Sequence, residues 1–101
     1  MQIRALLVDD NAMNLSILQA YCKKRKYAYD SARDGQEAFT TYVKACEAGQ
    51  APNICLLDLQ MPVCDGIACA GLMRAYELKE GRARCPIIMG GFNRFRVQVL
   101  C

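Results

Sequence analysis

The chain's length, composition and charge limit what it can be. Its 101 residues suffice for one domain, and 53% apolar residues can fill a core, while 23% charged residues are ordinary for a globular protein. A net charge of +3 is too mild for a dedicated nucleic-acid binder, so no nucleic acid is expected as a partner. We see neither an apolar run of bilayer-spanning length nor a signal peptide, and we expect a cytoplasmic or nuclear location.

The numbers of cysteine and histidine residues limit which metal sites, disulfides and catalytic groups this chain can contain. The seven cysteines are odd in number and form no C-x-x-C pair, which favours reduced, mostly buried thiols over disulfides or a metal site. Histidine is absent, which excludes histidine-based zinc sites and Ser-His or Cys-His catalysis within this chain.

The first half of the chain predicts two strands and two helices. Residues 3–8 indicate a buried strand, and residues 27–32 an exposed edge strand. Between them lies a helix capped by Asp10 or Asn11. Its predicted inner face is Ile17, Leu18, Tyr21 and Cys22. A second helix, with Asp34 as its cap and Gly49 at its end, has an inner face of Ala38, Phe39, Tyr42, Val43 and Cys46.

The second half repeats this alternation. Residues 54–57 predict a strand covered on both faces, directly before Asp58. A third helix, capped by Asp65 and ended by Gly81, is expected to bury Cys69, Leu72, Met73 and Tyr76. Residues 85–89 predict a fourth strand. Alternation of strands and helices indicates a parallel α/β sheet with helices on both faces.

Aspartates end two of these strands. Asp9 and Asp10 follow the first strand, and Asp58 follows the third. In the flavodoxin-like strand order 2-1-3-4-5 the first and third strands are neighbours, so the three carboxylates would share one crevice. Crowded carboxylates require a cation or a proton, and oxygen ligands favour Mg²⁺. One carboxylate could then attack a phosphoryl group. Taken singly, each aspartate could instead be an ordinary strand-end or helix-cap residue.

Four segments together resemble the receiver domains of two-component response regulators. They are LLVDDN at 6–11, ARDGQEAF at 32–39, LLDLQMPVCDG at 56–66 and CPII at 85–88. The D-x-x-M-P-x-x-D-G pattern that begins at Asp58 is the most specific. DDNAMN at 9–14 is more similar to receivers attached to hybrid sensor kinases than to the chemotaxis type.

The resemblance implies a flavodoxin-like, CheY-like fold and a role for each matching residue. Asp58 would be the phosphoacceptor and would also face the Mg²⁺ as a ligand. Asp10 would bind Mg²⁺ directly, and Asp9 would act through water or hydrogen bonds. The main-chain carbonyl of Gln60 would be a further ligand. The phosphodonor would be a histidine kinase or a histidine phosphotransfer protein, and the domain would not be an enzyme beyond slow self-catalysed phosphotransfer and dephosphorylation.

The sequence departs from the family pattern near its end. Receivers carry a hydroxyl residue after the fourth strand and a lysine after a fifth; here Gly90 and Gly91 follow the fourth strand, and residues 90–101 contain no lysine. We therefore expect a truncated receiver over residues 1–89, without the last helices and the parallel fifth strand. Residues 90–101 would form an atypical tail, either disordered or paired as an antiparallel edge strand, because a short connection suits a hairpin.

Two other functions are considered. A pseudo-receiver would fold and dock partners without a phosphorylation cycle, which the missing hydroxyl and lysine favour. An Mg²⁺-dependent phosphohydrolase of the haloacid-dehalogenase type would need a second acid two residues after its nucleophile, where this sequence has Gln60.

Overall fold

The structure, a computed structural model, describes residues 2–58, 66–90 and 98–100. The described elements are β1 (Arg4–Val8), α1 (Ala12–Lys24), β2 (Ala28–Ala32), α2 (Gly35–Glu47), β3 (Ile54–Asp58), α3 (Gly66–Glu80), β4 (Ile87–Gly90) and β5 (Gln98–Leu100). The strands form one sheet, with α1 packed on one face and α2 and α3 on the other. The predicted α/β fold is confirmed.

The sheet has the strand order β2-β1-β3-β4-β5. The first four strands are parallel to one another, as the alternating sequence pattern predicted. β5 runs antiparallel to β4, with Ile87 opposite Leu100 and Met89 opposite Gln98. This is the direction expected for an ordered tail after a short connection. Residues 91–97 lie outside the described residues, and the division into a domain of 1–89 and a tail of 90–101 stays a prediction.

The central strand β1 is buried on both faces. Leu6 and Val8 point to the face under α2 and α3, whereas Ala5 and Leu7 point to the face under α1. All four side chains are at most 3% exposed. A strand that is covered on both faces buries every side chain, so a continuous apolar sequence stabilises it. This explains why RALLV lacks alternating polar residues.

The predicted inner face of α1 is partly wrong. Cys22 is buried and Leu18 is partly buried, but Ile17 and Tyr21 are 50% and 52% exposed, and Leu15 is buried instead. The buried residues of α1 follow a narrow stripe, because α1 contacts the sheet along one line and no second described helix packs beside it on this face.

The predicted inner face of α3 also needs correction. Cys69 and Met73 are fully buried and Tyr76 is partly buried, but Leu72 is 38% exposed. Ala70 and Glu77 are buried instead. Glu77 can occupy a core position because its carboxylate is fully hydrogen-bonded, a condition that helical spacing alone does not reveal.

Helix ends follow local sequence signals. Asn11, rather than Asp10, caps α1, since its side chain accepts a hydrogen bond from the Asn14 N–H. Asp34 caps α2 by accepting from the Glu37 N–H at 2.8 Å. The glycines predicted to end α2 and α3 adopt φ values of 73° (Gly49) and 64° (Gly81), which disfavour other residues. The predicted α3 cap, Asp65, lies outside the described residues.

The cysteines that the structure describes are buried thiols that form no disulfide: Cys22, Cys46, Cys55, Cys69 and Cys85. Burial raises the pKa of the Cys22 and Cys55 thiols and raises the pKa of Cys85 to about 12. These thiols stay protonated and act as small apolar side chains, as predicted. Cys64 and Cys101 lie outside the described residues. None of the described helices has the length and apolar character needed to cross a membrane.

Candidate metal centre at the carboxyl edge of the sheet

The three aspartates singled out from the sequence meet at one edge of the sheet. Asp9 directly follows β1, and Asp58 is the last residue of the neighbouring strand β3. Val8 is in register with Leu57, so Asp9 and Asp58 leave adjacent strands at the same level. One carboxylate oxygen from each of Asp9, Asp10 and Asp58 lies within 4.8 Å of the others. The predicted clustering of these side chains is therefore present.

The aspartates differ in how firmly they are held. Asp9 is 4% exposed, and its Oδ1 accepts a 2.9 Å hydrogen bond from the Asn11 N–H. Its own N–H donates to the carbonyl of Ala32 on β2 at 3.2 Å. Asp10 is exposed and Asp58 is partly buried. Asp9 is thus the buried, hydrogen-bonded carboxylate of the site, and Asp10 is the carboxylate that faces solvent.

The charge of this cluster suits a hard cation. Carboxylates this close repel one another unless a cation or a proton lies between them. Mg²⁺ binds oxygen at about 2.1 Å, so two direct ligands lie at most about 4.2 Å apart. The three carboxylate oxygens lie within 4.8 Å of one another, which is close enough for one cation to be held by them directly or through bound water. The further predicted ligand, the carbonyl of Gln60, lies outside the described residues.

A cationic side chain that the sequence reasoning did not assign reaches this site. Arg33 follows β2, and its Nη2 donates a 3.1 Å hydrogen bond to the main-chain carbonyl of Asp10. A signal for it was present, because Arg33 immediately follows a strand parallel to β1 and must emerge at the same sheet edge as Asp9.

A second titratable cluster lies away from the aspartates, near the end of α3. The Glu77 carboxylate accepts hydrogen bonds from the Tyr42 hydroxyl at 2.6 Å and the Cys85 N–H at 2.8 Å, and it pairs with Arg74 at 2.7 Å. Burial raises the pKa of Glu77, but these three donors outweigh burial and hold the pKa below its usual value. Since Cys85 precedes β4, the cluster sits toward the amino edge of the sheet and joins α2, α3 and the segment that leads into β4.

Comparison with known proteins identifies the family of this chain. Residues 5–94 match the response regulator receiver domain family, and the chain therefore belongs to that family. The osmolarity two-component system protein SSK1 of Saccharomyces cerevisiae is 36% identical over 80 residues, which cover 79% of this chain and 10% of that protein. The chain spans only a small part of the length of its curated relatives: 3% of a hybrid histidine kinase of Dictyostelium discoideum and 13% of a response regulator of Schizosaccharomyces pombe.

Solved receiver structures share the fold. The receiver domain of Saccharomyces cerevisiae Ssk1, crystallised with the histidine phosphotransfer protein Ypd1, is 31% identical, with a TM-score of 0.74 over 87% of this chain and 61% of that chain. The receiver domain of a Pseudomonas aeruginosa sensor histidine kinase is 27% identical, with a TM-score of 0.77 over 95% of this chain and 72% of that chain. That structure has a magnesium ion coordinated in its active-site cleft.

Proposed function

We propose that Asp58 accepts a phosphoryl group from a phosphohistidine of a partner protein, and that Asp9 and Asp10 hold the Mg²⁺ that this transfer requires. The observation that carries the proposal is the approach of the three carboxylates to within 4.8 Å at the carboxyl edge of a receiver fold. Parallel α/β sheets bind their ligands at this edge. The main-chain carbonyl of Gln60 is proposed as a further ligand on the strength of the motif alone.

The proposed phosphoryl transfer from histidine to Asp58 needs no oxidant or reductant. An oxygen of the Asp58 carboxylate attacks phosphorus and forms a new O–P bond, while the P–N bond to the donor histidine breaks. The electron pair of that bond goes to the imidazole nitrogen, which takes a proton from water. When bound, Mg²⁺ would neutralise phosphoryl oxygens and offset the repulsion between phosphoryl group and carboxylates. Asp9, fixed by Asn11 and Ala32, would keep the site in place during transfer.

This chemistry is that of a signalling module. The chain is a receiver domain, and its phosphorylated state would serve as a signal rather than as an intermediate of substrate turnover. Any self-catalysed transfer from small donors, or hydrolysis of the acyl phosphate, would be slow. A cytoplasmic or nuclear location is part of the same proposal, because phosphorelay partners of the receiver would be found there.

We place the partner's docking surface on α1. Three exposed apolar side chains recur one turn apart on this helix: Met13 is 73% exposed, Ile17 is 50% exposed and Tyr21 is 52% exposed. α1 begins two residues after Asp10, so this stripe leads directly to the acidic site. The proposed occupant is a histidine phosphotransfer protein, the class of protein with which the similar Ssk1 receiver was crystallised.

The test is phosphorylation with a small donor. The protein is incubated with Mg²⁺ and acetyl phosphate, and the adduct is located by mass spectrometry and by its lability to base. We expect slow, partial labelling that Asp58→Asn abolishes. The matched control is Asp30→Asn, which removes a carboxylate from the middle of β2, away from the carboxyl edge, and should label like the wild type. Equal labelling of Asp58→Asn and the wild type would exclude Asp58 as the acceptor.

A second candidate, a pseudo-receiver that docks partners without phosphorylation, is favoured by one observation. Asp58 is in register with Gly90 on β4, so the neighbouring strand offers no side chain beside the acceptor. A hydroxyl from β4 therefore cannot contact a phosphoryl group at this level. A folded protein that binds a histidine phosphotransfer protein but is never labelled would support this second function.

A further inference from the structure

We propose that the Arg33 guanidinium binds the phosphoryl group on Asp58 and stabilises its transfer. The inference rests on the proposed function and adds a residue to it. Arg33 precedes the Asp34 cap of α2 and belongs neither to the aspartate cluster nor to the motif around Asp58.

The backbone brings Arg33 to the site. Ala32, the last residue of β2, is in register with Val8, and its carbonyl accepts from the Asp9 N–H at 3.2 Å. The next residue, Arg33, therefore emerges beside Asp9. Its Nη2 donates to the Asp10 carbonyl at 3.1 Å. The guanidinium thus contacts the main chain of a residue whose carboxylate lies within 4.8 Å of an oxygen of Asp58.

The Arg33 guanidinium would offset negative charge that a phosphoryl group brings to the site. A phosphoryl group on Asp58 brings a charge of about −2 to a crevice that already contains the carboxylates of Asp9 and Asp10. A divalent cation offsets only half of that total. A guanidinium offers five N–H donors in a planar fork suited to phosphate oxygens, and the bond to the Asp10 carbonyl engages one nitrogen.

A phosphoryl group on Asp58 would need a hydrogen-bond donor from the β2 side of the site. On the β4 side the residue in register with Asp58 is Gly90, which has no side-chain donor. Arg33 approaches from the other side, across Asp9 and Asp10. It is exposed, so its long side chain can move toward an incoming phosphoryl group without opening the core.

A purely structural role for the guanidinium is a weaker explanation. The loop between β2 and α2 is already held by other contacts: the Arg33 N–H donates to Glu37 Oε2 at 3.3 Å, and the Glu37 N–H donates to Asp34 Oδ1 at 2.8 Å. Both contacts persist when the Arg33 side chain is removed. Truncation of Arg33 should therefore leave the fold and the three aspartates in place.

The experiment measures initial labelling rates with Mg²⁺ and acetyl phosphate as the donor. In each turnover an Asp58 oxygen forms a bond to phosphorus, the P–O bond to the acetyl group breaks, and acetate leaves with the electron pair. We expect Arg33→Ala to lower the rate about tenfold, less than the loss of a fully buried oxyanion donor. Arg33→Lys should restore part of the rate by charge alone. The matched control is Arg84→Ala, which removes the same charge from the exposed segment before β4.

One further measurement, the melting temperature with and without Mg²⁺, separates the outcomes. The rise in melting temperature with Mg²⁺ should be the same in Arg33→Ala and the wild type, because the carboxylates are intact. Arg33→Ala that labels as fast as the wild type, or that loses rate and Mg²⁺ stabilisation together, overturns the role of Arg33 while Asp58 remains the acceptor. A wild type that is not labelled on Asp58 overturns the proposed function, and the role of Arg33 falls with it.

Discussion

The Tyr42 hydroxyl donates a 2.6 Å hydrogen bond to Oε2 of Glu77, and this bond joins α2 to α3 inside the core. Both residues are at most 2% exposed. Burial, followed by the bond to Glu77, raises the pKa of Tyr42, so the phenol stays protonated and acts as a donor. The same oxygen of Glu77 accepts from the Cys85 N–H, which ties the segment before β4 to both helices. A core carboxylate thus fixes three separate stretches of chain.

Tyr42→Phe should lower the free energy of unfolding by about 1.5–3 kcal/mol. The substitution keeps the ring but leaves a buried carboxylate with one donor fewer, and hydrogen bonds to charged groups contribute about this much. Urea unfolding measures the change. The matched control is Tyr76→Phe, because the half-buried Tyr76 ring packs edge-on against Tyr42 at 6.1 Å and survives the substitution. Equal losses in both variants would mean that the Glu77 bond contributes little.

Because of Glu77, the free energy of unfolding should fall as the pH becomes acidic. Its pKa is lowered in the folded protein from the ordinary 4.5, so the unfolded chain binds the proton more readily. The stabilisation is therefore present above the ordinary pKa and is lost as the pH falls through the lower, folded value. Urea unfolding at several pH values between about 7 and 3 should show a steeper loss for the wild type than for Glu77→Gln. Parallel curves would contradict this linkage.

Sequence patterns predicted the parallel sheet and the meeting of Asp9, Asp10 and Asp58, because strand ends and parallel direction together fix which residues share an edge. The prediction failed for the inner face of α1, where Ile17 is half exposed. Periodicity shows which side chains share a helix face, but it does not show how much of that face the sheet covers. Sequence patterns also missed Glu77, since a buried carboxylate depends on donors far away in the sequence.

Mg²⁺ should raise the melting temperature, and Asp10→Asn should reduce that effect. Asp10 is the exposed member of the cluster, so its replacement removes charge and a ligand with little disturbance of the core. Without Mg²⁺ the variant should melt at or above the wild-type temperature, because one repulsive charge is gone. Thermal denaturation with and without the metal tests both points. Asp30→Asn is the control, and equal Mg²⁺ stabilisation in all three proteins would show that Asp10 is not a ligand.

Ile17→Glu should weaken binding to a histidine phosphotransfer protein at least about tenfold without changing labelling by acetyl phosphate. A charge in the middle of the exposed stripe on α1 would be desolvated in the complex, whereas the acidic site would be untouched. Calorimetry with purified partner measures the affinity. Leu78→Glu is the matched control, since Leu78 is 86% exposed on α3, which packs on the opposite face of the sheet. A similar loss in both variants would argue against a docking role for α1.

Removal of residues 92–101 should lower both melting temperature and solubility. β5 pairs antiparallel with β4, and without it the backbone of β4 becomes an open sheet edge beside apolar Ile87 and Ile88. Exposed edges of this kind promote aggregation. We expect a fall of roughly 5 °C, which corresponds to about 1 kcal/mol for a domain of this size.

A point substitution tests the same pairing without shortening the chain. Val99 lies opposite Ile88, and Val99→Pro removes a backbone donor and restricts the strand, so it should reproduce part of the loss. Val99→Thr keeps the branched side chain shape and the N–H, so it should be nearly neutral by comparison. Thermal denaturation and the soluble fraction after mild heating report the two effects. If the deletion and Val99→Pro both leave these values unchanged, β5 does not protect the edge of β4, and the tail contributes nothing to stability.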